Sequence, residues 1–184
     1  MKFCALLLPS VAGLMLVSTG CSSIPGSPAP GFDQVSYWNG DRMSGSPSIR
    51  ISLSRQRAYF YKGGKLAGVS LISSGREGLD TVTGSFRLQE KDREHASSLF
   101  GSYVNADGKV IQRDVNTRSD TMPAGARYKG ADMPHWMRIT GGTGMHAGFL
   151  PGYPASHGCI RMPAAMAEAF FRHVEVGTPV SIES

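Results

Sequence analysis

The sequence predicts a mostly β domain with one short helix in its C-terminal half. Three observations carry that expectation: short runs that alternate apolar with polar residues, glycine-bearing turns between them, and a single stretch of helical composition. The 184 residues suit one compact domain with a leader and a tether, and no internal repeat divides the chain.

Residues 1–20 have the form of a secretory signal: one basic residue, Lys2, a mostly apolar run, then Ser18, Thr19 and Gly20. Pro9, Ser10 and Gly13 interrupt the run, which falls short of the about 20 apolar residues a membrane-spanning helix needs. Val17-Ser18-Thr19-Gly20-Cys21 resembles a bacterial lipoprotein cleavage box, although Ser18 stands where an aliphatic residue is usual. Cys21 is therefore the expected lipidation site, with ordinary cleavage nearby as the alternative. Ser22, in place of Asp, points by analogy with lipoprotein sorting to the outer membrane, with the domain in the periplasm. Residues 21–47 are rich in Ser, Pro and Gly and read as a tether. Phe32, Tyr37 and Trp38 interrupt it, so that its second half can lie against the domain, expected over 48–184.

Within the domain, Ile49, Ile51 and Leu53 alternate with Arg50, Ser52 and Ser54, as in a half-buried strand. Residues 58–61 and 66–73 flank Lys62-Gly63-Gly64-Lys65, a hairpin whose paired glycines allow positive φ. Phe86 and Leu88 mark another short strand. A second hairpin is expected around Ala106-Asp107-Gly108, and residues 136–140 form a strand leading into Gly141-Gly142-Thr143-Gly144. Pro163 suits a first helical position, and residues 164–173 are rich in helix formers, with Met166, Phe170 and Phe171 on an apolar side. A last strand follows Gly177, with Pro179 near its start.

Composition bounds the function. Hydrophobic residues make up 41% and charged residues 18%, as in a globular protein. Loss of residues 1–20 removes Lys2 and no acid, lowering the formal charge from +5 to +4. That mild positive balance suits phospholipid headgroups or wall-peptide carboxylates and is too weak for nucleic acid. Cys4 leaves with the signal and a lipidated Cys21 cannot pair, so Cys159 stands alone, either a buried small hydrophobe or a reactive thiol.

Its neighbours favour reactivity. Residues 144–162 hold His146 and His157 beside Cys159, and a cysteine nucleophile needs a base or a positive field to ionise. Gly158 permits close backbone approach, and successive N–H groups there can hold the oxyanion of a tetrahedral intermediate. Ser156-His157-Gly158-Cys159-Ile160-Arg161-Met162, with His146 upstream, resembles the signature of the L,D-transpeptidase catalytic domain family. The resemblance extends over about residues 48–184. It takes in Thr81-Val82-Thr83-Gly84-Ser85-Phe86, similar to a Thr-Pro-x-Gly-x-Phe element with Val82 in place of proline, and the stretch from Lys91 through His95 to Tyr103. His146 precedes the cysteine motif by a shorter interval than in many members, which predicts a compact active-site loop.

That resemblance implies a β-sandwich-like fold and a Cys159 nucleophile whose proton passes to His146, itself oriented by the carbonyl of Ala147. It also places His157 and the N–H groups of Gly158 and Cys159 near the oxyanion. Arg161 is expected to steady the loop or meet a substrate carboxylate. Ser156 supports the turn and adjoins the substrate, His95 stands on the cleft rim, Tyr153 lies on the loop, and Trp136 and Met137 belong to the core. The implied reaction is acyl transfer on peptidoglycan tetrapeptide stems, with an amine of another stem, a lysine of a wall-attached lipoprotein, or water as acceptor. No cofactor is needed. Two rivals remain: a zinc site built from His135, His146, His157 and Cys159, and a non-catalytic peptidoglycan-binding lipoprotein.

Overall fold

A computed structural model describes residues 36–184. The signal, Cys21, Phe32 and the first part of the tether lie outside the described residues. None of the described helices is long and apolar enough to cross a membrane.

The chain opens with β1 (Tyr37–Trp38) and a short 3-10 turn at Gly40–Arg42, followed by β2 (Pro47–Ser52), β3 (Arg57–Lys62) and β4 (Lys65–Leu71). Then come β5 (Gly84–Arg87), β6 (Glu90–Asp92), β7 (Ala96–Val104), β8 (Val110–Asn116) and β9 (Arg127–Asp132). The last elements are β10 (Trp136–Thr140), β11 (Thr143–Ala147), β12 (Ile160–Met162), helix α1 (Ala164–His173) and β13 (Pro179–Glu183). They form a six-stranded sheet in the order β1-β4-β3-β2-β13-β5, a four-stranded sheet β12-β11-β10-β6 and a three-stranded sheet β8-β7-β9.

The mostly β, β-sandwich-like fold with one helix thus matches the expectation, and its core shows why. Ile49, Ile51, Ala58 and Phe60 of the first sheet meet Met137, Ile139, Met145, Ile160 and Met162 of the second in one buried cluster. Helix α1 adds Met166, Ala167 and Phe170 to it. Alternation within β2 sends Ile49 and Ile51 inward and leaves Arg50 exposed. Gly63 and Gly64 have φ of 54° and 76°, the left-handed pair that a two-residue hairpin turn requires. Pro163 caps α1 with an extended ψ of 141°, one position earlier than expected, and its carbonyl accepts from the Ala167 N–H at 2.9 Å.

The six-stranded sheet also takes in part of the segment read as tether. Tyr37 and Trp38 pair with Val69 and Gly68, and the Trp38 ring lies 5.1 Å from Phe60 and 5.9 Å from Phe170. Lys62 Nζ donates to the Gly40 carbonyl at 2.7 Å, closing the turn that follows β1.

Candidate active site

The glycine-rich turn after β10 reverses the chain into β11, which lies antiparallel to β10 and parallel to β12. The second pairing builds the site. Its register sets Met145 against Ile160 and His146 against Arg161, so the strand carrying the histidine runs beside the strand that begins just after Cys159.

The intervening segment is tied to the chain after β4. The Ser73 N–H donates to the Arg161 carbonyl at 3.0 Å and its carbonyl accepts from the Arg161 N–H at 3.0 Å. The N–H groups of Ala155 and Ser156 donate to the Ser74 carbonyl at 3.0 and 2.9 Å. Gln56, at a φ of 49°, holds Ser74 in turn: its Oε1 accepts from the Ser74 N–H at 3.0 Å and its Nε2 donates to Ser74 Oγ at 2.8 Å.

Cys159 and His146 line one cavity of about 340 Å³ with His95, Phe100, Trp136, Ser156, His157 and Arg161. His146 Nδ1 stands 2.9 Å from the carbonyl of Ala147. A carbonyl only accepts, so Nδ1 carries the proton and Nε2 keeps its lone pair. His146 is 6% exposed, and burial drives its pKa down from 6.5 to about 4, against the opposing pull of the Ala147 carbonyl; Arg161 and His95 add to the lowering. Burial likewise raises the pKa of the Cys159 thiol, partly offset by the Gly144 N–H and by Arg161. Both partners are therefore neutral near pH 7, and the thiol donates to the Gly142 carbonyl at 3.4 Å. The cavity wall thus carries a weak acid and a neutral base, the two groups that nucleophilic acyl transfer by a thiol requires.

His157 also lies in the cavity wall, stacked on Phe100 with ring centroids 4.2 Å apart. Arg76 donates to its Nε2 at 3.0 Å, and burial, with Arg76 and Arg161, lowers its pKa. Gly158 has φ of 110°, a backbone region that favours glycine. The Gly158 N–H, expected near the oxyanion, donates to Ser156 Oγ at 3.1 Å. The remaining donor of the expected pair is the Cys159 N–H. Ser156 supports the loop as expected and also borders the cavity: its 1% exposed side chain donates to the Cys159 carbonyl at 2.5 Å.

Arg161 borders the cavity and, among the described residues, forms no ion pair with a carboxylate; its stem packs against Gly148. His95 also borders the cavity, stacked on Trp136 at 4.7 Å and bonded through Nδ1 to Asp92 at 3.2 Å. Tyr153 is 61% exposed and outside the cavity lining, while its carbonyl accepts from Ser73 Oγ at 2.7 Å. Trp136 is both core, at 2% exposure, and cavity wall. Phe100 and Arg76 join the site with no local signal in the sequence, because each reaches it from a distant segment.

The zinc set does not form. Among the described residues, the group with ligand atoms within 4.8 Å of one another is Glu90, Asp92 and His95. His135 instead packs against Phe171, ring centroids 5.5 Å apart.

The chain belongs to the L,D-transpeptidase catalytic domain family, whose model matches residues 46–182. Solved structures similar to it include a cysteine-to-serine mutant of the Enterococcus faecium L,D-transpeptidase, 26% identical with a TM-score of 0.53 over 76% of this chain and 50% of that one. The L,D-transpeptidase from Mycobacterium smegmatis is 18% identical, with a TM-score of 0.57 over 76% of this chain and 59% of that one. That of Stackebrandtia nassauensis is 15% identical, with a TM-score of 0.56 over 77% and 57%. The chain thus spans between half and three-fifths of the length of these neighbours. A search of curated proteins returns no significant match.

Proposed function

We propose that the domain transfers an acyl group on peptidoglycan tetrapeptide stems, with Cys159 as nucleophile and His146 as base. The observation that carries the reading is the Nδ1–H of His146 held by the Ala147 carbonyl, which leaves the Nε2 lone pair to take a proton within the cavity that contains Cys159. In the first step the thiol proton passes to Nε2 and sulfur bonds to the carbonyl carbon of the third stem residue, at the L-centre of diaminopimelate. The terminal D-Ala leaves as an amine, taking the proton from His146, and a thioester remains. In the second step an acceptor amine passes a proton to His146 Nε2 and bonds to the thioester carbon, and the sulfur leaves as thiolate and regains that proton. That amine belongs to another stem, giving a 3→3 cross-link, or to a lysine of a wall-attached lipoprotein. We further propose that the protein works in the periplasm, anchored through lipidated Cys21 to the outer membrane.

Mass spectrometry of purified tetrapeptide muropeptides after incubation with the protein tests this. A cross-linked dimer lacking one D-Ala is expected, and Cys159→Ser abolishes it. Tripeptide alone assigns water as acceptor and makes the enzyme an L,D-carboxypeptidase. No turnover by folded protein leaves the non-catalytic binding lipoprotein as the better reading.

A further inference from the structure

Thr81 belongs to the Thr81-Val82-Thr83-Gly84-Ser85-Phe86 element, to which the proposed reaction assigns no role. The residue lies in the loop between β4 and β5 and is 4% exposed. Its Oγ1 accepts from the Gly75 N–H at 2.8 Å and donates to the Gly158 carbonyl at 3.0 Å. A hydroxyl has one proton to give, so these two bonds determine its orientation. The Gly75 end is itself rigid: a Cβ there would stand 2.1 Å from the Leu79 carbonyl and 2.7 Å from the Thr81 nitrogen. The loop is thus folded tightly on itself before it reaches Gly158.

The bond to the Gly158 carbonyl bears on the next atom along the chain. No peptide bond among the described residues is cis, and in a planar trans peptide the C=O of one residue and the N–H of the next point in opposite directions. Fixing the Gly158 carbonyl against Thr81 therefore fixes the Cys159 N–H, and turns it away from the loop that carries Thr81. Ser156 Oγ holds the peptide planes on either side, through the Gly158 N–H and the Cys159 carbonyl. Without Thr81, the central plane is the one left free to rotate, and Gly158 at φ of 110° offers no side chain to resist it.

We infer that Thr81 is a positioning residue that aims the Cys159 N–H at the oxyanion formed when Cys159 attacks a carbonyl. The inference rests on Cys159 as nucleophile and is independent of which wall peptide is the natural substrate. In the step concerned, the thiol proton goes to His146 Nε2, sulfur bonds to the carbonyl carbon, and the carbonyl π pair moves to oxygen. The Cys159 N–H donates to that oxygen until the tetrahedral species collapses and expels the leaving group.

Two thiol reactions separate aim from mere folding. Acetylation by p-nitrophenyl acetate passes through a tetrahedral oxyanion and expels p-nitrophenolate. Alkylation by iodoacetamide displaces iodide at a saturated carbon and forms no oxyanion. Thr81→Val, near in shape but without the hydroxyl, is expected to slow acetylation of Cys159 by about 10²-fold, the low end for loss of one oxyanion donor. Alkylation should stay within a few-fold of wild type, and Thr81→Ser should restore acetylation. Thr81→Ala provides the same comparison should the valine variant fail to fold. Equal slowing of both reactions means Thr81 merely holds the thiol in place and overturns the inference, as does unchanged acetylation or failure of serine to rescue. If wild-type Cys159 is alkylated but not acetylated, the cavity lacks an oxyanion donor and the inference falls as well. Absence of muropeptide turnover, with the acetylation contrast intact, counts against the proposed substrate and not against Thr81.

Discussion

His146 is the residue at which burial, charge and chemistry meet. Its folded pKa of about 4 lies below the ordinary 6.5, so over that interval the unfolded chain binds a proton that the folded chain refuses. Stability from this residue is complete above pH 6.5 and is lost as pH falls toward 4, by about 3 kcal/mol in all. His146→Gln, which does not titrate, should flatten the fall in thermal midpoint across that window while reducing turnover by about 10²- to 10⁴-fold. Parallel melting curves for both proteins from pH 6.5 to 4 would show that the imidazole is not held neutral by burial. At this scale the sequence led to Cys159 through the Ser156–Met162 signature, and the family resemblance led to His146 upstream of it and to the Ala147 carbonyl that His146 Nδ1 meets. It did not reveal that the Gly158 N–H turns to Ser156, nor that Thr81 and Arg76 reach the loop. Those contacts depend on how two distant loops pack.

Elements were legible where local chemistry decides them. The β3–β4 hairpin could be read from Gly63 and Gly64, whose positive φ values a type I′ turn demands, and α1 from a run of helix formers with one apolar side. Strand β9 could not be read, since its residues are mostly exposed and lack clean alternation; backbone pairing to β7 holds it. Nor could β11, because its glycine-rich start resembles a loop until β10 and β12 flank it. Strand β1 has only two residues and exists through its partner β4, with the Trp38 ring set among Phe60, Phe170 and His173. Trp38→Ala should therefore destabilise the domain by about 2–3 kcal/mol, less than the about 3–5 kcal/mol of a fully buried aromatic because Trp38 is only half-buried. Denaturant titration checks the loss, and iodoacetamide labelling of Cys159 in the native state should be unchanged. A variant as stable as wild type would mean that β1 rests on the sheet without contributing to it.

For the whole molecule, the proposed lipidation of Cys21 upstream of the domain and the proposed chemistry of Cys159 are separable claims. One acyl chain gives only marginal, reversible membrane binding, whereas the two or three chains of a modified Cys21 hold a protein stably. Charge offers no comparable substitute: the proposed removal of residues 1–20 would take Lys2 from a chain of +5 and leave a formal charge of +4, and each basic residue near an anionic surface adds only about 1 kcal/mol. That weaker attraction falls away with salt, and the lipid anchor does not. Wild-type protein should therefore stay with the membrane fraction through a high-salt wash, while Cys21→Ala should appear in the soluble periplasmic fraction with its Cys159 still open to alkylation. Separation of inner from outer membranes should then place the wild type in the outer one, as Ser22 after the modified cysteine leads one to expect. Equal retention of both proteins after the wash, or equal release of both, would remove the lipid from the account and leave Cys21 an incidental thiol near an ordinary cleavage site.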